Sequence, residues 1–275
     1  MINFRKLSKA LALNLTAWVI TAIMLIPLLL VIVNAFKTNI EAIEMSLALP
    51  SSLQWDNFRV VIERGNLVRT FFNSMIYSGG SVLLTTMLAS MAAYVFSRNR
   101  RKVHNFLYFF VVLGITMPIN FVTLVRVMQV LHLMGSRIGV VLLYTAAQIP
   151  FNVFLIYSFI GKIPREIDEA GVIDGCSPLR LYFSVILPLL KPVLVTVMVL
   201  TFLNTWNEFI MPLFILGSSE LWPMTLAVYN FFGMFHRDWN LISANILLTS
   251  LPVIVVFLLG QKHIVAGMTA GSVKG

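Results

Sequence analysis

Long apolar runs, separated by short polar segments, make up most of the chain. The runs cover 10–36, 71–96, 103–130, 140–160, 192–216 and 241–260. Each has about the length, roughly 20 residues, that an α-helix needs to cross the hydrocarbon core of a bilayer. The pattern predicts an all-α, polytopic membrane protein, with six transmembrane helices in a single domain over 1–275.

The first apolar run has a second interpretation, as a signal peptide. Basic residues precede it, and Val33-Asn34-Ala35 resembles a signal-peptide cleavage site. The apolar part of a signal peptide is only about 7–15 residues long, however, and this run is longer. The run is therefore predicted to be a retained first helix with its N-terminus inside the cell.

Charge is unevenly divided between the two predicted sides of the membrane. The chain is 59% hydrophobic and 11% charged, and the segments placed inside hold 13 of the 20 Lys and Arg residues but 4 of the 11 acids. Cytoplasmic loops are enriched in cations in this way, which predicts cytoplasmic N- and C-termini and contact with anionic lipid. One basic cluster has no interleaved aromatic residues for base stacking, so a topological anchor is favoured over a nucleic-acid site: Arg98, Arg100, Arg101 and Lys102.

The polar segment 162–191 is the longest interruption between two strongly apolar runs, and it contains helix start and stop signals. Pro164 fits a first helical position, and Gly175 can end the helix in a left-handed conformation. Ser177-Pro178 then starts a second helix. A short helix over 164–174 is predicted, and its first turns hold carboxylates that favour the positive end of the helix dipole: Glu166, Asp168 and Glu169.

The middle of this short helix is predicted to have almost no projecting side chains. Ala170 and Gly171 add almost no side chain there, so another protein could approach its backbone closely. For an arbitrary loop, a solvated turn would be the ordinary interpretation.

A resemblance changes that interpretation. The segment is similar to the signature cytoplasmic loop of ABC-importer permeases, in which Glu-Ala-Ala, three residues and Gly precede Ile-x-Leu-Pro. The matching positions are Glu169-Ala170-Gly171, Asp174-Gly175, Phe183 and Ile186-Leu187-Pro188, with Gly171 in place of the second Ala. The resemblance implies a coupling helix that docks on a separate ATPase, through Glu166, Asp168, Glu169, Ala170, Gly171, Asp174 and Gly175.

The fifth run contains the polar stretch Asn204-Thr205-Trp206-Asn207-Glu208. Ionisable groups within a membrane are rare and usually face a cavity or a partner. Asn204, Trp206, Asn207 and Glu208 could therefore bind and stack on a sugar in a translocation pathway. A structural role between helices is the equal alternative. The stretch resembles the Trp-Asn-Glu-Phe element of carbohydrate ABC permeases.

The C-terminal tail is too short and too rich in glycine to fold by itself, which makes a disordered end the simplest expectation. It resembles the Gly-x-Thr-x-Gly-x-x-Lys-Gly ending of maltose-type permease subunits. That resemblance implies contact with the ATPase through Gly267, Thr269, Gly271, Lys274 and Gly275.

Prolines divide several of the apolar runs. Each lacks the N–H of a helical hydrogen bond, so kinks or breaks are predicted at Pro118, Pro150, Pro188 and Pro212. The connection from the coupling helix through Pro188 into the fifth run is nevertheless expected to be continuous, so that docking tilts the pore helices.

No catalytic pattern is present. The chain has no GxxxxGK[ST] phosphate-binding loop and no HExxH, and its four histidines are scattered. A non-catalytic protein with no metal site and no cofactor of its own is predicted. An ion-coupled carrier or channel without an ATPase is the alternative, and a membrane enzyme comes third.

Across nearly its whole length the chain resembles the smaller permease subunit of a carbohydrate, maltose-type ABC importer. The resemblance implies a type I importer fold in a bacterial or archaeal inner membrane. It also implies several partners: a second homologous permease, two ATPase subunits that bind ATP and Mg²⁺, an extracytoplasmic sugar-binding protein and membrane lipid, with no nucleic acid.

Overall fold

A computed structural model describes residues 4–99, 101–232 and 237–272, without the side chains of 4–10, 12 and 263–272. Regular structure within these ranges is helical, which confirms the predicted all-α class. In chain order the helices are α1 (Phe4–Ala35), α2 (Asn39–Ala42), α3 (Asp56–Arg64), α4 (Leu67–Arg98), α5 (Lys102–Leu113), α6 (Phe121–Val130), α7 (Arg137–Ile160), α8 (Glu166–Ile173), α9 (Pro178–Leu189), α10 (Lys191–Trp206), α11 (Ile210–Ile215), α12 (Met224–Ala227) and α13 (Trp239–Ser272).

Four of the described helices are long and apolar enough to cross a membrane: α1, α4, α7 and α13. A fifth is possible if α9 and α10 form one bent span. The remaining apolar helices, α5 and α6, are shorter than a full crossing. Continuous helices thus account for fewer spans than the six predicted from apolar runs.

The predicted third span, 103–130, is broken into α5 and α6. Helix α5 ends before Gly114, and the chain is not helical again until Phe121. Pro118 lies in the gap, where it lacks a donor N–H and disfavours helical geometry in the residue before it. A new cap then starts α6, since the Asn120 side chain accepts from the N–H of Thr123 at 3.1 Å.

The chain forms two compact units. The first comprises Met1–Leu67 and Ala227–Ser250. Asn57 is buried there and donates to the carbonyls of Ala35 and Lys37, each at 2.8 Å, while accepting from Asn240 at 2.9 Å. These bonds join α3 to the end of α1 and the start of α13.

The apolar side chains of the membrane-length part of α1 are not covered by the rest of the chain. None of its 18-residue apolar window is buried, and Leu13 and Trp18 are open on its surface. A helix that is apolar all round needs an apolar environment, so lipid or another subunit must cover it.

The second unit comprises Val68–Leu226 and Leu251–Gly275. Helix α7 packs against α5 and α10, α6 packs against α11, and α8 packs against α9. A buried apolar cluster joins the end of α4 to α7, α9 and α10: Ala89, Ala93, Val153, Ile156, Ile160, Leu181, Tyr182, Ile186, Leu190, Val193, Leu194 and Val197.

The connection expected to be continuous is sharply bent. Helices α9 and α10 meet at an angle of 79° at Leu190, which has Pro188 before it and Pro192 after it. Pro192 cannot donate to the carbonyl four residues earlier, so a straight helix loses a hydrogen bond there. The expected continuity through Pro188 was wrong. At Pro150, where a kink or a break was expected, α7 continues without a break.

Candidate functional site

Local signals around α8 produce a short helix as the sequence predicts, but Pro164 lies before the helix and not at its first position. Helix α8 begins at Glu166, two residues after Pro164, and Gly175 follows it with a φ of 78°. The N–H of Cys176 donates to the carbonyl of Gly171, which closes the helix end. The Ser177 side chain then accepts from the N–H of Arg180 and caps α9. The left-handed Gly175 and the Ser177 cap are confirmed.

Asp168 faces inward, toward the end of α4. Its Oδ1 accepts from the hydroxyl of Tyr94 at 2.6 Å, and its Oδ2 lies 2.8 Å from a guanidinium nitrogen of Arg98. The Arg98 and Asp168 side chains are only 13% and 15% exposed, so this ion pair is much less screened by solvent than a surface pair. Asp168 therefore holds α8 in place within the chain, and it is not part of the exposed surface of α8.

Two further contacts hold the segment before α8 against α4. Both terminal nitrogens of Arg98 donate to the carbonyl of Ile163 at 3.2 Å. Arg165 donates to the carbonyl of Ser97 at 3.2 Å. With the Asp168 contacts, these bonds form a clamp, defined here as Tyr94, Ser97, Arg98, Ile163, Arg165 and Asp168. The sequence analysis interpreted Arg98 only as a topological anchor. A cation at the end of one helix and an acid on a short helix of the same predicted cytoplasmic side could have indicated an ion pair.

Gly171 also faces inward, against expectation. It is buried, and a Cβ at this position would lie 2.5 Å from Cδ1 of Leu181 on α9. The bare middle of the helix is thus filled by the chain's own leucine. Ala170 remains exposed on the other face.

The outer face of α8 is acidic in its first turns and apolar at its end. Val172 and Ile173 are 63% and 85% exposed, and Leu179 at the start of α9 is 64% exposed. The exposed acids around them are Glu166, Glu169 and Asp174. We refer to Glu169, Ala170, Val172, Ile173 and Leu179 as the α8 surface. Of the predicted coupling residues, only Asp168 and Gly171 turn away from solvent.

The residues of the polar stretch in the fifth run do not all face the same region, because some are exposed and others are buried. Asn204 and Asn207 are exposed, but Trp206 is 1% exposed. Its ring packs between Phe71 and Phe202, with centroids 6.0 and 5.3 Å away. Trp206 therefore cannot stack on a sugar in this conformation.

Glu208 lies in a break between α10 and α11 and caps the second helix. Its Oε1 accepts from the backbone N–H of Ile210 and of Met211, at 2.9 and 3.0 Å. Pro212 has no N–H for the Glu208 carbonyl, which instead accepts from the hydroxyl of Thr225 at 3.0 Å. The predicted span 192–216 is therefore two helices, and Glu208 satisfies the backbone groups that the break exposes.

Polar side chains meet between α7 and α10. Asn204 donates to Oε1 of Gln148 at 3.3 Å, and Asn152 donates to the Thr201 hydroxyl at 3.0 Å. The Oδ1 atom of Asn152 is buried without a hydrogen-bond partner among the described residues. Gln148, Asn152 and Thr201 are thus brought beside Asn204, a grouping that spacing along separate helices does not reveal.

The tail residues are only partly described. Helix α13 continues to Ser272 instead of ending near 260, so Gly267, Thr269 and Gly271 belong to its helical backbone. Lys274 and Gly275 lie outside the described residues. Across the described ranges, no three His, Cys, Asp or Glu residues come together in a way that could hold a metal ion.

Comparison with known proteins gives concordant matches. Residues 85–270 match the family described as binding-protein-dependent transport system inner membrane component. The chain is 32% identical to the probable starch degradation products transport system permease protein AmyC of Thermoanaerobacterium thermosulfurigenes, with 93% of this chain and 94% of that protein covered. It is 33% identical to the multiple sugar-binding transport system permease protein MsmG of Streptococcus mutans, with 92% of each covered.

A solved structure has a similar fold. It is a bacterial ABC transporter involved in the import of the acidic polysaccharide alginate, and one of its chains aligns with a TM-score of 0.81. The alignment covers 95% of this chain and 98% of that chain at 19% identity. This similarity supports the predicted fold class.

Replacement of Glu208 tests its role as a cap. Glu208→Ala leaves the N–H groups of Ile210 and Met211 without an acceptor and should weaken the start of α11 by about 1 kcal/mol. Glu208→Gln keeps an acceptor oxygen, so it should destabilise the start of α11 less than Glu208→Ala does. Hydrogen exchange of the α11 amides measures both, with Glu220→Ala in an exposed ion pair as the control. Equal effects of Ala and Gln would mean that the charge itself, and not the cap, is required.

Proposed function

The chain belongs to the family of binding-protein-dependent transport system inner membrane components, and from this premise we propose that it is the permease subunit of an ATP-driven importer of sugars or oligosaccharides. Family membership confirms that the chain is a multi-pass component of a transport system and not an enzyme. It also favours an importer subunit over an ion-coupled carrier or channel. The similarity to AmyC, a probable permease for starch degradation products, and to MsmG, a multiple-sugar permease, supports a carbohydrate substrate.

The α8 surface is the observation on which the proposal mainly rests. Exposed apolar side chains at the end of α8 and the start of α9, next to exposed acids, form a surface of the kind that marks protein interfaces. In the proposed assembly this surface docks on an ATPase subunit, which binds ATP and Mg²⁺. The acids Glu166, Glu169 and Asp174 meet cations of the partner at the rim.

The clamp can transmit a movement of the docked α8 to a membrane-spanning helix. Because α8 is fixed to the end of α4 by the Arg98–Asp168 pair, a displacement of α8 also moves the end of α4. Because α9 and α10 meet at 79°, a push along α9 is not transmitted along the axis of α10. We place the hinge at Leu190 and the rigid connection in the clamp.

The polar group between α7 and α10 is our candidate for the translocation pathway. Gln148 and Asn204 supply amide donors and acceptors suited to sugar hydroxyls, and Asn207, three residues after Asn204, is also exposed. Asn152 is as buried as Trp206, so it supports this group from below through its bonds to Thr201 and to the Gln148 carbonyl and does not contact sugar in this conformation. Trp206 and Glu208 support this region structurally.

The remaining partners complete the proposed assembly. A second permease subunit would cover the exposed face of α1 and supply the other half of the pathway, with lipid over the rest. Two ATPase subunits lie in the cytoplasm, where both termini of this chain are placed by the positive-inside rule. A sugar-binding protein delivers substrate from outside, and the tail from Gly267 to Gly275 adds a second ATPase contact.

Ile173→Asp and Glu169→Lys test the docking surface. Both change exposed side chains, so the permease should fold and insert normally. Each should reduce ATPase subunits recovered with the purified permease at least tenfold, since a charge is buried or reversed at the contact. Leu49→Asp is a matched control, because Leu49 is 84% exposed in the other unit. Normal ATPase recovery with both variants would exclude α8 as the docking site.

Asp168→Asn tests the clamp separately from docking. The Arg98 charge then lacks its partner, which should weaken the attachment of α8 by about 1–3 kcal/mol. ATPase subunits should still bind, while sugar transported per ATP hydrolysed in proteoliposomes falls severalfold. The exposed Asp174→Asn is the control, and the exchange of Arg98→Asp with Asp168→Arg should restore part of the coupling. Full coupling in Asp168→Asn would contradict a role for the clamp.

A further inference from the structure

A cavity of about 570 Å³ lies beside the clamp, where α4, α5 and α7 approach the segment before α8. One part of its lining is aromatic and consists of Phe96 and Tyr157. Tyr108 stacks on Tyr157 with 4.0 Å between ring centroids and packs edge-on against Phe96, which fixes these rings in place. The size is typical of a site for a small molecule or a headgroup.

The other part of the lining is basic. Its charged residues are Arg98, Lys162, Arg165 and Glu166. Arg98 is neutralised by Asp168, and Arg165 uses one donor on the carbonyl of Ser97. The exposed Lys162 side chain forms no ion pair or hydrogen bond with another described residue, and the Glu166 side chain likewise has no ion-pair partner there. Apart from Arg98, which Asp168 neutralises, the lining therefore holds two cations, Lys162 and Arg165, and one acid, Glu166. The side-chain amide of Asn105 also lines the cavity and is a further donor.

This combination of linings is expected at the boundary between membrane and water. Tyr and Trp rings concentrate at the headgroup level, and basic pockets at the cytoplasmic ends of transmembrane helices bind anionic headgroups. Arg101, which precedes α5, and Lys102, its first residue, are exposed and add positive charge close to the cavity-lining end of α4. The cavity therefore offers an apolar surface on one side and phosphate-binding cations on the other.

We propose that this cavity binds the phosphate of an anionic membrane lipid between Lys162 and Arg165, with the lipid's apolar part against Phe96 and Tyr157. Because Arg165 also holds the clamp, an occupied site would stabilise the attachment of α8 to α4. The inference depends on the proposed function only for the orientation of the chain. Lipid binding is measured without transport, so failure of one proposal does not entail failure of the other.

The test uses the transporter purified with its partner subunits, in nanodiscs of phosphatidylcholine with increasing phosphatidylglycerol. Native mass spectrometry counts retained phosphatidylglycerol, and amine acylation reports the accessibility of Lys162. Lys162→Gln should lower the apparent affinity about fivefold, since each cation near the surface contributes about 1 kcal/mol. Lys162→Arg should retain binding. Lys191→Gln is the matched control, because Lys191 is exposed on the same side and does not line the cavity.

Protection of Lys162, but not of Lys191, by phosphatidylglycerol would support a lipid site. A further arm adds inorganic phosphate at millimolar concentration to pure phosphatidylcholine nanodiscs. Equal protection there would support a phosphate site but assign it to a free anion instead of a lipid. The same loss of affinity in Lys162→Gln and Lys191→Gln, or no protection by either probe, would overturn the proposal, because only diffuse surface charge would then be involved.

Discussion

The ion pair between Arg98 and Asp168 is the contact on which the account of this chain depends. It joins the last turn of a membrane-length helix to a short helix whose inner face also packs against α9. Tyr94 donates to the same carboxylate, and Arg98 also holds the carbonyl of Ile163. A largely buried pair of this kind is costly unless its geometry is good, and the additional donors help to meet that cost.

The clamp explains why α8 can be both fixed and exposed. Its inner face is occupied by Asp168 and Gly171, which contact α4 and α9, and its outer face is left with Val172 and Ile173. The helix direction then changes sharply at Leu190, between α9 and α10, although both helices contribute to the same apolar cluster. Chain connectivity alone pointed to motion passing from α9 into α10, whereas the side-chain contacts point to the end of α4.

Sequence predicted local features well where a single residue determines them. The left-handed Gly175 and the Ser177 cap depend on backbone chemistry within a few residues, and both are present. Sequence failed where the outcome depends on what packs against a residue. The direction in which Asp168 faces is decided by α4, and the burial of Trp206 by Phe71, both distant in the chain, while Gly171 faces Leu181 on the next helix. Apolar runs likewise indicated membrane segments but did not reveal where proline and a competing cap would divide them.

Distance measurements between α4, α8 and α10 during the ATP cycle test the clamp most directly. Spin labels can be introduced at Val95 and at the native Cys176, which directly follows α8 and lies outside the α8 surface, and in a second sample at Cys176 and Asn204 of the assembled transporter. We predict that the Val95–Cys176 distance is the same in nucleotide-free and ATP-bound states, while the Cys176–Asn204 distance changes. A Val95–Cys176 distance that changes while Cys176–Asn204 stays constant would contradict this, because α8 would then move with α10 and not with α4.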